Sequence, residues 1–438
     1  VDPFESPDET LWCLQRDTFR YFWEEIYPVP DNGLIADNTG EGAPASIAVV
    51  GFALAAYPVA VERGLLPRDK GVARTLATLR FFRDSPHGPE PDATGYRGFY
   101  YHFLDMRTGR RVWQCELSTI DSTFLLAGML TAAAYFDHDT AAEHEIRTTA
   151  DALYRKADWR WAQNGGATVS HGWRPETGFL PYRWEGYDEA LLLYALGLGS
   201  PTHPLPDESY PAWAATYEWK EIFGQALLYA GPLFIHQFSH LWIDFRGIQD
   251  AFMREHGLDY FENSRRAAHV QRDYATRNPL GFEGYGPWCW GLTASDGPGP
   301  ATLTVKGVKR EFFGYLARGA PFGPDDGTVA PWAAVACLPF APDIVVEAIR
   351  HFHDLYPEIH RDRQFKCSFN PTFPDPTHGR SGWVADLHFG LNEGPIVLMI
   401  ENHRSGLLWR LMRGCPYLVA GLRRAGFSGG WLESERGA

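Results

Sequence analysis

The run Trp184-Glu185-Gly186-Tyr187-Asp188-Glu189 stands immediately before an apolar stretch, Ala190 to Gly197. It sets aromatic rings beside carboxyl groups where a helix is expected to begin. A glycosidase needs a carboxyl that keeps its proton near neutral pH, and burial beside rings raises such a pKa by disfavouring the charged form. Glu189 could be that acid, with Trp184 and Tyr187 touching a sugar ring. The plainer alternative is that Asp188 and Glu189 only complement the positive end of a helix dipole.

Two further segments carry carboxylates in suggestive places. Cys115-Glu116-Leu117-Ser118-Thr119-Ile120-Asp121 precedes the apolar run Phe124 to Ala134. Glu116 and Asp121 could bind sugar hydroxyls or a water, or Ser118 or Thr119 could cap a helix whose first turn favours an acid. Towards the C-terminus, Asp386 lies in a loop and Glu393 at a helix start, and either could be the second carboxylate a glycosidase requires. Glu401 falls inside an apolar helix and should find a partner such as Arg404 or Asn402, because an unpaired buried charge is costly. His236, His240 and Asp244 repeat at four-residue spacing, but the protease zinc motif with Glu next to His is missing and no metal is expected. Phosphate-loop, serine-elbow and strand-linked dinucleotide signatures are absent, and no cofactor is expected.

The net charge of −14 argues against a phosphate-backbone partner, since nucleic-acid binding leans on clustered Lys and Arg. A neutral oligosaccharide or polysaccharide fits better. Aromatics make up 15% of the chain with 16 Trp, residues that are placed at a surface chiefly to pack or to bind. The six cysteines are scattered without short spacing, so they read as buried thiols. The longest uncharged stretch, Ala45 to Val61, is short for a bilayer and contains Pro58, so it reads as a buried helix and no membrane insertion is expected. The first residues carry no signal-peptide pattern, and a trimmed mature chain would look the same. The compartment is therefore open: periplasmic or secreted if a leader was removed, cytoplasmic otherwise. The oligomeric state is equally open.

Apolar periodicity near 3.6 recurs throughout, which predicts an all-α chain of about twelve helices. The expected helices span 8–26, 45–63, 68–84, 117–136, 141–157, 187–198, 219–230, 240–256, 263–277, 328–338, 343–355 and 393–413. Between them lie long segments rich in Gly, Pro, Trp and Tyr, at 85–116, 158–186, 278–327 and 356–392, too long for plain connectors. Such loops, converging at one end of a helical barrel, would make a sugar cleft. In it Trp184, Tyr187, Trp288 and Trp290 would stack on glucose rings, and Arg97, His171 and Gln237 would bind hydroxyls. No composition shift marks a linker, so 1–438 reads as one catalytic domain.

Five ordered motifs resemble the bacterial glycoamylase-like family that contains endo-β-1,2-glucanases and is related to the hydrolase-like domains of cyclic β-1,2-glucan synthases. They are Glu116-Leu117-Ser118-Thr119-Ile120-Asp121, Tyr187-Asp188-Glu189-Ala190, Phe234 to Asp244, Trp290 to Gly297, and Gly394 to Asn402. The resemblance implies a single (α/α)6 barrel and inverting hydrolysis of β-1,2-glucan. It places Glu189 at the family's general acid and Asp121 at an acidic cleft residue. Many relatives read Asp-Gln before the Gly-Pro where this chain has Asn392-Glu393, so the base role moves to Glu393 or Asp386. An inverting pair stands roughly 6.5 to 9.5 Å apart unless hydroxyls or waters relay the proton. The alternatives are a transglycosylase, an exo-acting glucosidase or lyase on a related polymer, and a glucan-binding protein that does not cut.

Overall fold

The computed structural model describes residues 6–23, 31–361 and 364–434. It is rich in helix, with sixteen α-helices among the described residues, and its strands are short and antiparallel. Two compact units emerge, each assembled from separated stretches. One draws on Phe22–Tyr217, Ser239–Tyr260 and Ser405–Ala438, the other on Val1–Tyr21, Glu218–Phe238 and Phe261–Arg404.

The first unit is built around helices Ile47–Glu62 and Thr119–Tyr135, both apolar on nearly every face and almost wholly buried. They cross at two glycines. A Cβ on Gly128 would lie 2.1 Å from the Gly51 carbonyl oxygen, so only glycine permits this approach. Outside them, Arg68 on helix Arg68–Asp84 forks onto Glu143 of helix Ala141–Arg155 at 3.0 and 2.8 Å. Against these helices lies a five-stranded antiparallel sheet, in the order Gly95–Tyr96, Phe99–Tyr101, Leu117–Ser118, Gly172–Arg174 and Gly178–Phe179. Its strands are two or three residues long, below what alternation in a sequence can reveal.

In the second unit, helix Pro7–Phe19 packs on helix Gly390–Arg404. Gln15 Nε2 donates to Val397 O and to Glu401 Oε2, both at 3.1 Å, so the partner of Glu401 comes from a distant segment and not only from its own helix. The long segment 278–327 is anchored by a fully buried ion pair. Arg318 grips Asp326 at 2.7 and 2.8 Å and spends its remaining donors on the carbonyls of Ser295, Phe313 and Gly314.

Several expected helices are corrected. Residues 219–230 form a hairpin, Trp219–Ile222 with Gln225–Leu228, turning through Phe223 and Gly224 at positive φ. Residues 240–256 hold an α-helix only from Ala251, capped by Asp250; before it a 3-10 turn ends at Leu241 and Asp244 pairs with Arg246. No helix spans 236–244, so His236, His240 and Asp244 do not share a helical face. The expected 393–413 helix breaks at Gly406, which is left-handed and starts a new helix, Leu407–Arg413. The end of the expected 8–26 helix, residues 24–26, lies outside the described residues. No described helix is long and apolar enough to cross a membrane.

Candidate active site

Glu189 sits in the turn just ahead of helix Leu191–Leu198. The start of that helix is satisfied by Ser239, whose hydroxyl accepts from Leu192 N (3.1 Å) and donates to Glu189 O (3.1 Å). The carboxyl of Glu189 is therefore not consumed as a cap. Asp188 accepts from Ala190 N (2.9 Å) and from the indole of Trp213 (3.0 Å).

Burial pushes both carboxyls up, Glu189 to about 8 and Asp188 to about 7, and each titrates in the field of the other. The hydrogen bonds set the two carboxyls apart. Asp188 has two donors from neighbouring groups to stabilise its charge, whereas Glu189 has only its own backbone N–H and feels the charges of Asp188 and Asp121. Glu189 keeps the proton at neutral pH. Its carboxyl is thus raised by burial first and by the neighbouring charge of Asp188 second, and not by an adjacent indole.

Asp121 opens helix Thr119–Tyr135 and belongs to a second group of charges in the same unit. His102 stands between two carboxylates, with Nδ1 2.9 Å from Glu116 Oε1 and Nε2 3.7 Å from Asp121 Oδ2. Burial opposes a charge on the imidazole, but Asp121 and Glu116 outweigh it and raise it to about 9. The converse holds for Glu116: burial raises it, the hydrogen bond to His102 outweighs that, and its pKa falls. Ser118 caps the helix by accepting from Asp121 N (3.2 Å), and its hydroxyl also donates to Asp121 Oδ2. The segment is thus a capped helix start with a polar cluster beside it. Sequence reasoning did not single out His102; its one signal is its place at the end of the aromatic run Gly95-Tyr96-Arg97-Gly98-Phe99-Tyr100-Tyr101-His102.

The expected sugar contacts fare unevenly. Trp184 is buried, donates to Thr119 Oγ1 (3.0 Å) and is stacked by His171 at 3.9 Å, so His171 covers one of its faces. Tyr187 is half-buried, with Tyr217 and Tyr260 at 5.8 and 5.9 Å. Arg97, at positive φ, is exposed and 3.6 Å from Asp158. In the other unit Trp288 is exposed. Trp290 and Gln237 are corrections. Trp290 is fully enclosed by protein, and Gln237, also buried, donates to Ala333 O (2.6 Å) and Cys337 Sγ (3.1 Å), so both act as packing residues.

Asp386 and Glu393 differ sharply. Asp386 is exposed in its loop. Glu393 is fully buried, its Oε1 3.1 Å from His388 Nδ1, and burial raises its pKa despite that partner. No group of three or more His, Cys, Asp or Glu side chains placed to hold a metal ion occurs among the described residues.

Residues 181–416 match the model of the Glycoamylase family, described as "Putative glucoamylase". A "putative glucoamylase" from Bacteroides uniformis ATCC 8492 is similar in structure, with TM-score 0.86 and 32% identity, over 98% of this chain and 99% of that one. The endo-β-1,2-glucanase of Chitinophaga pinensis, solved with sophorotriose and glucose, gives TM-score 0.84 and 28% identity over 98% of this chain and 100% of that one. The exo β-1,2-glucooligosaccharide sophorohydrolase of Parabacteroides distasonis is 27% identical over 454 aligned residues, 96% of this chain. The chain spans 58% of the length of that curated relative. With more than half its length matched by the family model and a 32% identical relative covered almost end to end, this chain belongs to the Glycoamylase family.

Proposed function

We propose that this protein is a glycoside hydrolase that cleaves β-1,2-linked glucan by an inverting acid and base mechanism. The observation that carries the reading is the pair of neighbouring carboxyls ahead of helix Leu191–Leu198, in which Asp188 accepts from Ala190 N and the Trp213 indole while Glu189, raised further by burial, is the better placed to keep its proton. The substrate class is supported by the two relatives named for β-1,2-glucan hydrolysis, which cover nearly all of this chain. For the helical architecture we propose the (α/α)6 barrel that the family resemblance implies, with the sixteen described α-helices in its support. Each compact unit takes segments from both halves of the sequence, which supports 1–438 as one catalytic domain.

In this mechanism Glu189 gives its proton to the glycosidic oxygen as the bond to the anomeric carbon breaks. A water attacks the anomeric carbon from the opposite face and surrenders a proton to a carboxylate base. Asp386 is assigned that role because it is open to water, whereas Glu393 is enclosed, paired with His388 and biased towards its neutral form. Glu116 and Asp121, held by the His102 imidazolium, accept hydrogen bonds from sugar hydroxyls. Trp184 and His171, stacked on each other, line the same unit beside Thr119.

The test is a substrate panel of linear β-1,2-glucan, cyclic β-1,2-glucan, starch and laminarin, with the anomer of the product followed by NMR. Release of reducing ends from β-1,2-glucan with inversion is expected; cleavage of starch or laminarin instead, or ultraviolet-absorbing unsaturated ends, overturns the assignment. For the base, azide needs no deprotonation to attack, so it restores turnover to Asp386→Asn. Rescue of Glu393→Gln and not of Asp386→Asn moves the base to Glu393.

A further inference from the structure

Trp113 is the most exposed tryptophan among the described residues, with 71% of its surface open. It occupies a place that its backbone disfavours. Trp113 and Gln114 are consecutive non-glycine residues at φ of 56° and 50°, and Cys115 N donates to Val112 O (3.1 Å) across them. That is the positive-φ pattern of a mirror-image tight turn, where Asn and Gly are the residues normally chosen. A bulky indole there gains no core packing to offset the strain, so packing does not explain it.

What the turn accomplishes is placement. The Trp113 ring lies 5.3 Å from Phe103, and Phe103 is stacked on His102 at 3.9 Å with the planes 11° apart. His102 is the group that bridges Glu116 and Asp121. A column of rings thus runs from the polar cluster outward and ends in an open aromatic face. At the inner end of that column, beside His102, Glu116 Oε2 is 3.8 Å from Arg174 Nη2, and both side chains are partly exposed. An open ring face joined through Phe103 and His102 to a carboxylate and a guanidinium suits a chain of pyranose rings, which offer C–H bonds on their faces and hydroxyls at their edges.

We propose that Trp113 is the platform of an outlying glucosyl subsite, with Glu116 and Arg174 bonding the hydroxyls of a glucan chain that continues away from Glu189. This rests on the β-1,2-glucan reading above. A residue of this kind acts on chain length: it contributes only when the substrate is long enough to reach it. Kinetics of wild type, Trp113→Ala and Trp113→Phe are compared on linear β-1,2-gluco-oligosaccharides of increasing length and on the polymer, with calorimetric binding of the same sugars and melting temperatures alongside. For Trp113→Ala the expected loss on long chains is about tenfold in kcat/KM, entering through KM, and falls to within about twofold on the shortest substrate cleaved. Trp113→Phe keeps a ring and should recover most of the loss. An equal loss at every length, or no loss at any, overturns the subsite. If wild type binds β-1,2-glucan without cutting it, the hydrolase reading fails while the affinities of the same variants still decide the subsite. If wild type neither binds nor cuts it, both fail.

Discussion

Glu189→Gln should make the protein more stable, and only above a certain pH. The side chain has an ordinary pKa of 4.5 in the unfolded chain and is pushed up to about 8 in the fold. Below pH 4.5 both states hold the proton and nothing is gained or lost. Between 4.5 and 8 the folded state holds a proton that the unfolded state has released, so stability falls as pH rises. At pH 7 the full linkage amounts to about 3 kcal/mol. Partial exposure of the carboxyl to solvent reduces this to about 1 to 2 kcal/mol. Near pH 4 the same calculation gives less than about 0.3 kcal/mol. A neutral glutamine removes the term, so melting temperatures of wild type and variant should coincide near pH 4. By pH 7 to 8 they should separate by about 1 to 2 °C, the variant being higher. Urea midpoints at the same pH values check the sign. Equal separation at pH 4 and pH 8 would mean that packing and not titration is responsible; a variant no more stable than wild type at pH 8 would refute the buried proton donor.

The same electrostatics should appear in activity. The basic limb of kcat/KM should fall near the titration of Glu189, and Asp188→Asn, which removes the adjacent charge but keeps an oxygen for Trp213 and Ala190, should move that limb to lower pH by roughly one pH unit. An unmoved limb would mean that another group sets it. Asp326→Ala leaves Arg318 buried without its carboxylate and should cost about 3 to 5 kcal/mol in a urea melt. A loss below about 1 kcal/mol would show that the carbonyls alone suffice. Gly128→Ala drives a methyl into the Gly51 carbonyl and should cost about 1 to 3 kcal/mol, more than a substitution on a solvent-facing helix position.

How much of this was legible in the sequence varies with the physics of each element. Helices with long apolar runs, such as Ile47–Glu62 and Thr119–Tyr135, announce themselves because burial on every side leaves no polar interruption. The 219–228 hairpin does not. Its Lys, Glu, Gln, Ala and Leu residues favour helix, and only the Phe223-Gly224 turn, with both residues at positive φ, settles it as two strands. Glu189 could be singled out because a carboxyl before an apolar run has few uses. The reason its proton stays, two donors on Asp188 and none from a neighbour on Glu189, depends on Trp213, far from it in sequence. His102 was hidden for the same reason: its meaning lies in Glu116 and Asp121, which the sheet brings to it from 14 and 19 residues away. Buried Trp290 and Gln237 show the opposite error, in which a site-like residue type in a glycine-rich or motif-like segment turns out to pack.

The most direct measurement is reducing-sugar release from linear β-1,2-glucan by wild type and by Glu189→Gln at matched folding. Turnover by the wild type is expected, with a loss of about 10² to 10⁴-fold in the variant and a raised melting temperature at neutral pH. Turnover by Glu189→Gln at the wild-type rate would contradict this expectation.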